Sequence, residues 1–279
     1  MKFELYKIET LTNLHVGSGD TNMDIVDNQV QKDPIEQLPN INSSSLKGAF
    51  REHFENLGDS KILIDYIFGP DNDNENNHQS GAYSFLEAQL LTRPVRSNNK
   101  PYYSATSPET IKKLLDTIEE LNIEFDDELK EALEALSNLN PSVGEPLIFD
   151  NSQNTILEDL EAANSNHNVD SLKEFLGENL ALFNHKDFKE LELPVIARNK
   201  LDNGKSKNLW YEEIVPKKST FFFAIGKPQN IDPNDYEKKI KGFESRFNKD
   251  GQQIQIGANK SIGYGICNIQ KVSKWVKKE

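Results

Sequence analysis

The chain has 279 residues, 36% of them hydrophobic and 9% aromatic, which is enough for one large domain with insertions or for two small domains. Its single cysteine, Cys267, excludes an internal disulfide and fits a reducing compartment such as the cytoplasm. No apolar run approaches about 20 residues and the N-terminus lacks an apolar core, so we expect neither a membrane span nor a signal peptide.

The formal net charge of −13 is unevenly distributed. Residues 109–192, which we call the acidic block, hold 21 acidic and 6 basic residues, a net charge of −15. Residues 193–279 hold 17 basic and 9 acidic residues, a net charge of +8. Because a polyanion responds to the local potential, the overall acidity does not exclude nucleic-acid binding.

Hydrophobic periodicity predicts the first elements in chain order. Residues 2–11 predict a strand, and residues 20–42 have no clear period and predict a long loop. The sequence SSLKGAFREHFENL predicts a helix over 44–57, with the serines at 43–45 as its N-cap. A polar loop over 71–81 and a strand over 82–91 follow.

The acidic block is predicted to be mainly helical. Ser107 and Pro108 are typical of a helix start. Amphipathic helices are predicted over 109–121, 126–139, 155–163 and 169–183.

The remainder of the chain returns to strands. Strands are predicted over 192–199 and 219–226, a helix over 234–247, and a strand, glycine-rich loop and strand over 251–272. Without the acidic block this order suits an α+β fold with a ferredoxin-like core, two split βαβ halves on an antiparallel sheet. The predicted domains are a core from 1–108 and 193–279 and an inserted acidic block over 109–192.

Two glycine-rich segments are candidates for ligand contact. The first is HVGSG at 15–19, and the second is IGANKSIGYG at 256–265. Each suits either a simple turn or a loop whose exposed amides approach a phosphate. Neither has the spacing of a P-loop or of a dinucleotide-binding fingerprint.

Charged side chains add two further candidates. Lys47 and Arg51 lie four residues apart on the first predicted helix, near its N-terminus, which suits either a phosphate site or a solvated face. The sequence contains no paired cysteines or HExxH motif, so we expect no structural zinc, and no GxSxG motif of a serine hydrolase. The long loop holds four aspartates, any of which is compatible with simple solvation: Asp20, Asp24, Asp27 and Asp33.

Several separated segments together resemble the RAMP superfamily of CRISPR proteins. LTNLHVGSGD, IVDNQVQKDPIEQLPNINSSSLKGAFRE and IQIGANKSIGYG resemble its N-terminal signature and its glycine-rich loop. GAYSFLEAQLLTRPVRS and ARNKLDNGKSKNLWYEEIVPKKSTFFF resemble stretches of the backbone subunits of type III-B, or Cmr, effector complexes. The chain departs from the pattern at three points: Asn40-Ile41-Asn42 in place of proline-glycine, Lys32-Asp33 in place of arginine-glutamate, and Tyr264 in place of arginine.

The resemblance implies a ferredoxin-like (RRM-like) palm with a helical insertion and a protruding β-hairpin thumb. It implies copies stacked head-to-tail as a helical filament on a CRISPR RNA (crRNA), in a cytoplasmic antiviral defence complex with target RNA and other Cmr subunits, and no membrane partner. Sequence specificity would come from base pairing. The implied RNA contacts are His15, Gly17, Ser44, Ser45, Lys47, Arg51, Arg93, Arg96, Gly257, Asn259, Lys260, Gly263 and Gly265.

The resemblance also implies an endoribonuclease. In the family a loop aspartate supports metal-dependent cleavage of the target RNA, and Asp27 occupies that position. We therefore expect Mg²⁺ or Mn²⁺ at Asp27, with Glu213 as a candidate second catalytic carboxylate.

Three alternatives stay open at this stage. They are a non-catalytic RNA-binding backbone subunit, the backbone subunit of a type III-A complex, and a free-standing nucleotide enzyme with glycine loops. IVDNQVQKDP fits the type III-A family nearly as well, whereas the length and LWYEE favour type III-B. For the acidic block, our hypothesis is that it keeps the subunits soluble and repels RNA from the wrong face.

Overall fold

The computed structural model describes residues 1–19, 26–70, 80–231, 240–241, 244–245 and 252–272. The α-helices of this part are α1 (Ser43–Asn56), α2 (Lys61–Phe68), α3 (Pro108–Glu120), α4 (Asp127–Ser137), α5 (Lys173–Leu176) and α6 (His185–Glu190). The strands are β1 (Lys2–Thr10), β2 (Asn40–Ile41), β3 (Ser84–Phe85), β4 (Ala88–Val95), β5 (Tyr103–Thr106), β6 (Leu147–Ile148), β7 (Ile156–Leu157), β8 (Leu160–Glu161), β9 (Ala163–Asn164), β10 (Leu180–Leu182), β11 (Val195–Asp202), β12 (Lys205–Glu213), β13 (Thr220–Lys227), β14 (Gln252–Gln255) and β15 (Ile266–Lys271).

Eleven of these strands form one large sheet. Its order is β14-β15-β1-β13-β4-β5-β10-β6-β9, with β2 also paired to β4 and β3 also paired to β13. β1 is antiparallel to both β13 and β15, and β13 is antiparallel to β4. Strands β11 and β12 form a separate hairpin outside this sheet. The described residues therefore form a mixed α+β fold, as predicted.

Both faces of the sheet are covered, which explains the apolar run in β13. Phe221 and Phe223 pack into the core on the face covered by α1 and α2, and Phe222 packs into the core under α3 and α4. A strand buried on both faces is continuously apolar and does not alternate. The three layers place β13 and β1 at the centre of the molecule.

Helix α1 is held by its apolar face. Phe50 is fully buried, and its ring centroid lies 5.7 Å from that of Phe85 and 5.8 Å from that of Phe223. The helix begins one residue earlier and ends one residue earlier than predicted. The predicted serine cap is wrong, because Asn42 occupies the N-cap position and makes no side-chain cap hydrogen bond. Packing, and not capping, therefore fixes this helix.

Two of the four helices predicted in the acidic block are confirmed. Helices α3 and α4 match the predictions over 109–121 and 126–139 within two residues, and Ser107 caps α3 as expected. The helix predicted over 155–163 is wrong, since that segment forms the β7–β8 hairpin and enters β9. Glu158 has φ +52°, a left-handed conformation that a helix interior does not accept.

The helix predicted over 169–183 is also mostly wrong. A short 3₁₀ turn and α5 end at Leu176, and the chain then enters β10, which pairs in parallel with β5. Gly177 has φ +119°, and a Cβ there would overlap the Ser104 hydroxyl. The glycine allows the close approach of the two backbones and ends the helix. The acidic block thus mixes helices with strands that extend the main sheet.

The remaining strand predictions agree with the structure. The strands predicted over 2–11, 192–199, 219–226 and 251–272 are present, whereas the one predicted over 82–91 is divided into β3 and β4. Most of the polar loop at 71–81 and of the helix predicted over 234–247 lies outside the described residues. Within the described part, no helix is long and apolar enough to cross a membrane.

Candidate nucleic-acid interface

The two glycine-rich segments, far apart in sequence, meet in space. The backbone N–H of Ala258 donates to the carbonyl oxygen of His15 over 2.9 Å. Gly257 has φ +79°, and a Cβ there would overlap the same carbonyl oxygen. Glycine at 257 is therefore required for the contact between the loops, whichever ligand they bind. We call the pair 15–19 and 257–265 the glycine loops.

Residues 26–33, the Asp27 segment, run between the glycine loops and the hairpin. Gly17 forms an antiparallel bridge with Val30, and Asn28 forms a parallel bridge with Glu212 of β12. The segment therefore acts as an extra, irregular strand that joins the first glycine loop to the base of the β11–β12 hairpin.

Asp27 is exposed at this junction. Its Oδ2 atom accepts a hydrogen bond from the backbone N–H of Tyr211 over 2.8 Å. Within the described part of the chain, its carboxylate has no other hydrogen bond and no ion pair. Lone pairs of this carboxylate are thus available to a water, a hydroxyl group or a cation.

The neighbouring carboxylate Glu212 has the opposite environment. It is 4% exposed, and it accepts hydrogen bonds from Arg198 Nε over 2.9 Å and from Asn259 Nδ2 over 2.7 Å. His15 Nε2 lies 4.0 Å away, and the Arg198 guanidinium stacks 4.6 Å from the centroid of the Tyr264 ring. This network joins the hairpin to both glycine loops.

Glu213 is also bound by other parts of the chain. Its carboxylate accepts from Lys32 Nζ over 2.9 Å and from the Val30 N–H over 3.1 Å, and its backbone carbonyl lies 2.7 Å from His15 Nδ1. Glu213 is brought to the predicted site, but its carboxylate holds the Asp27 segment in place. His15 is similarly buried, at 5% exposure.

The predicted cations of α1 differ in their environments. Lys47 is half-buried and forms no ion pair among the described residues. Arg51 pairs with Glu55 over 2.8 Å and donates to the Gly69 carbonyl over 2.6 Å, so its guanidinium links α1 to the end of α2. Ser44 is exposed and Ser45 half-buried in the first turn.

Two arginines predicted to bind RNA have their partners outside the glycine loops. Arg93 is 5% exposed and donates to the carbonyl oxygens of Leu191 and Glu192 over 2.7 and 2.5 Å. Burial lowers the pKa of Arg93 to about 10. An RNA contact does not fit this internal role. Arg96 is exposed and paired with Glu158 over 2.6 Å.

The second glycine loop keeps several groups at the surface. Lys260 is exposed and pairs with Glu52 over 2.8 Å, and Gly263 is exposed with φ +81°. Gly265, by contrast, is buried, and a Cβ there would overlap the Ile256 carbonyl oxygen. The exposed backbone of the loop is therefore around 257–263.

Sequence reasoning missed Arg198 and Glu212, which hold the site together. A signal was present, because Tyr264 replaces the arginine of the family pattern, and here its ring packs on Arg198. Of the four loop aspartates, Asp33 is the last residue of the Asp27 segment and accepts from the N–H groups of Ile35 and Glu36, and Asp20 and Asp24 lie outside the described residues.

An open groove of about 380 Å³ lies beside the Asp27 segment. Its walls come from that segment, from residues 189–195 and from the hairpin base, and they include Lys32, Arg93, Lys189 and Glu213. Among the described residues, no group of three or more His, Cys, Asp or Glu side chains is arranged to hold a metal ion. Since Glu212 and Glu213 are already bound, a cation at this surface has the carboxylate of Asp27 available.

Known proteins that are similar to this chain identify its family. A family model, the RAMP superfamily, matches residues 7–268. A search of curated proteins gave no significant match. A chain in the apo-state cryo-EM structure of type III-B Cmr-beta is 24% identical, with 98% of each chain covered and a TM-score of 0.79.

Two other solved structures are similar over the same length. A chain of type III-B Cmr-beta bound to cognate target RNA is 26% identical, with 98% of each chain covered and a TM-score of 0.77. Oligomeric Cmr4 from Pyrococcus furiosus is 20% identical, with 98% of each chain covered and a TM-score of 0.67. Because the family model covers nearly the whole chain, this protein belongs to the RAMP superfamily.

Proposed function

We propose that the chain is a backbone subunit of a type III-B CRISPR effector complex that binds a crRNA and its complementary target RNA. The observation that carries the proposal is the meeting of the glycine loops, the Asp27 segment and the hairpin base at one surface. Similarity over 98% of each chain to a structure bound to cognate target RNA supports it. Similarity to oligomeric Cmr4 supports several copies, which we propose to stack head-to-tail with other Cmr subunits in the cytoplasm.

The strand order supports a ferredoxin-like palm. In the sheet, β13 lies between β1 and β4, which α1 connects, and β1 lies between β13 and β15. This strand order is the one expected for two interleaved split βαβ halves. The β11–β12 hairpin stands outside the main sheet and carries exposed Leu209 and Tyr211, as suits a thumb that inserts between bases.

The RNA backbone would follow the glycine loops and the start of α1. Exposed glycine-rich backbone offers N–H groups to phosphate oxygens. Lys47, with no ion pair among the described residues, and Lys260 at the surface supply positive charge beside these loops. The excess of 17 basic over 9 acidic residues in 193–279 supports the same assignment.

The proposed reaction is cleavage of the target RNA at Asp27. A nucleotide displaced by the hairpin can bring its 2′-hydroxyl in line with the adjacent phosphorus. The 2′-oxygen then bonds to phosphorus as the bond to the 5′-oxygen breaks, giving a 2′,3′-cyclic phosphate and, after protonation from water, a 5′-hydroxyl. Asp27, exposed and with lone pairs available, would accept the 2′-hydroxyl proton or hold the cation that assists its loss.

A divalent ion fits this site only if RNA and water share in binding it. Asp27 would hold the ion through one carboxylate, and Mg²⁺ characteristically keeps several waters and binds substrate phosphates. When bound, Mg²⁺ or Mn²⁺ would stabilise the negative charge that develops on the phosphate oxygens. Glu213 would contribute by holding the Asp27 segment through Lys32 and the Val30 N–H.

Assembly with RNA tests the proposal. We expect the purified chain to form oligomers whose size rises with the length of added guide RNA, as measured by size-exclusion chromatography with light scattering. The reconstituted complex should bind complementary target RNA and, with Mg²⁺ or Mn²⁺ but not with EDTA, release regularly spaced fragments.

The outcomes separate the alternatives. Oligomers and target binding without fragments would identify a non-catalytic backbone subunit. This is the second candidate, because Glu212 and Glu213 are bound by other residues and the proposed chemistry depends on Asp27. An unchanged monomer with no RNA affinity would overturn the proposal.

A further inference from the structure

The acidic block contacts the turn that follows the Asp27 segment. This turn, residues 33–37, is closed from within by Asp33, whose Oδ1 accepts from the N–H groups of Ile35 and Glu36 over 2.9 and 2.7 Å. Burial alone would raise the pKa of Asp33, but these N–H groups and the nearby charge of Lys113 outweigh burial and lower it. These internal hydrogen bonds therefore hold the turn in one conformation.

The same turn is anchored from outside by α6. Glu36 Oε2 lies 2.7 Å from His185 Nε2 and 3.7 Å from Lys189 Nζ, and both partners belong to that helix. The other ring nitrogen, His185 Nδ1, lies 2.9 Å from the Ser107 hydroxyl at the start of α3. His185 thus bridges two parts of the molecule with both of its nitrogens.

Helix α6 also leads directly into the hairpin. The carbonyl oxygens of Leu191 and Glu192, just after the helix, are both held by Arg93 of β4. Strand β11 begins three residues later, at Val195. The helix therefore fixes one end of the hairpin while it holds the turn at 33–37.

The Asp27 segment is in turn bound to the hairpin. Lys32 and Val30 bind the carboxylate of Glu213, and Asn28 and Asp27 bind the backbone of Tyr211. A shift of the turn relative to α6 would move the Asp27 segment relative to the hairpin, because α6 holds the turn and precedes the hairpin.

We propose that Glu36 and His185 are positioning residues through which the acidic block sets the place of Asp27 against the hairpin. The inference rests on the proposed function for its catalytic consequence. It gives the acidic block a role beyond solubility. The distance between Glu36 and His185 is that of a direct hydrogen bond, and this bond is the first cause that lowers the pKa of Glu36.

The test uses Glu36→Ala, Glu36→Gln and His185→Leu in the reconstituted complex. Glu36→Gln keeps an acceptor for His185, so it is the conservative variant. Glu109→Gln is the matched control, since that exposed carboxylate lies 3.8 Å from His185 without a hydrogen bond to it. For each variant we would measure crRNA binding, single-turnover cleavage at saturating target RNA, and amide hydrogen exchange of residues 26–38.

We expect Glu36→Ala to slow cleavage about 10- to 100-fold at saturating target, because small misplacements of a reacting group cost rates of this order. Guide RNA binding should be unchanged, and exchange over 26–38 should rise. Glu36→Gln should restore most of the rate and protection. His185→Leu, which removes both ring nitrogens, should resemble Glu36→Ala, and Glu109→Gln should match the wild type.

The outcomes distinguish this inference from the proposed function. If the wild type does not cleave, the exchange measurement decides, and unchanged protection in Glu36→Ala would overturn the positioning role. If the wild type cleaves and Glu36→Ala cleaves equally fast, the inference is also overturned while the proposed function stands. A loss of guide binding equal to the loss of rate would show a merely structural role and would likewise overturn it.

Discussion

The surface around Asp27 and the acidic block use their charged residues in different ways. At the first, Glu212 and Glu213 are buried and bound by Arg198, Asn259 and Lys32, and the exposed Asp27 carries one hydrogen bond among the described residues. In the acidic block, the acidic side chains of α3 and α4 are exposed while the apolar faces of these helices pack on the sheet. Charge density alone therefore does not identify a site in this molecule, whereas the partners of each charged side chain do.

The largest effect should come from breaking the buried network at the hairpin. We expect Arg198→Met to lower the free energy of unfolding by roughly 3–5 kcal/mol, because it leaves the Glu212 carboxylate buried without its cation. Urea denaturation of the isolated chain measures this. Arg198→Lys keeps the charge but loses the planar guanidinium, so its free energy of unfolding should lie between those of the wild type and Arg198→Met. An unchanged denaturation midpoint in Arg198→Met would contradict the structural role.

The junction between the two regions should show a pH dependence. Burial lowers the pKa of Lys7 in β1 to about 8, and its ammonium donates to the Phe175 carbonyl of the acidic block over 3.0 Å. In the unfolded chain the lysine pKa is about 10.4. Between these values the unfolded state binds more protons, so Lys7 makes stability rise with pH and costs stability below about pH 8.

The difference in unfolding free energy between wild type and Lys7→Met isolates this contribution. From about pH 7.5 to about pH 10.5 it should shift in favour of the wild type by up to roughly 3 kcal/mol. A difference that stays constant over this range would show that the pKa of Lys7 is not depressed in the folded protein.

Smaller effects are expected from the two cations of α1, Lys47 and Arg51. We expect Arg51→Ala to destabilise the chain by about 1–2 kcal/mol, since it removes the links to Glu55 and the Gly69 carbonyl, with little change in RNA affinity. Lys47→Ala should leave stability unchanged and reduce the salt dependence of RNA binding by about one phosphate contact. Thermal unfolding and salt-titrated fluorescence anisotropy give both readouts, and identical behaviour of the two variants would break the distinction.

The smallest effect is expected at Tyr264. Tyr264→Leu should cost about 0.5–1 kcal/mol of stability, because it removes the stacking of the ring on Arg198 and keeps an apolar contact. Combined with Arg198→Met, the substitution should add little further loss. Additive losses in this double-mutant cycle would mean that the two side chains do not interact.

The fold was predictable where periodicity and packing agree. The centre of the sheet and α1, α3 and α4 follow from apolar spacing, because these elements bury one or both faces. The segments at 155–163 and 169–183 were mispredicted because short apolar runs suit either a helix or a strand, and Gly177 and the left-handed Glu158 decide between them through contacts that local spacing does not reveal.

The site was predictable as a set of segments, not as a set of side-chain roles. Both glycine loops, Asp27 and Glu213, which the family resemblance named as RNA-binding or catalytic residues, lie close together in the structure. The sequence did not reveal that Glu213, His15 and Arg93 are occupied by internal contacts, since those partners lie about 100 to 200 residues away. Long-range pairing of this kind requires the three-dimensional structure.

Single-turnover cleavage of a guide-matched target tests whether Asp27 is the reactive carboxylate. The complexes compared would carry Asp27→Asn, Glu213→Gln or the control Asp202→Asn. Asp27→Asn should cut at least about 100-fold more slowly with unchanged guide binding and thermal stability, because it keeps the size of the side chain and removes the charge. Glu213→Gln should chiefly lower thermal stability. Asp202→Asn, at the hairpin tip, should change neither the cleavage rate nor the thermal stability. Wild-type cleavage by Asp27→Asn would contradict the assignment of Asp27 as the reactive carboxylate.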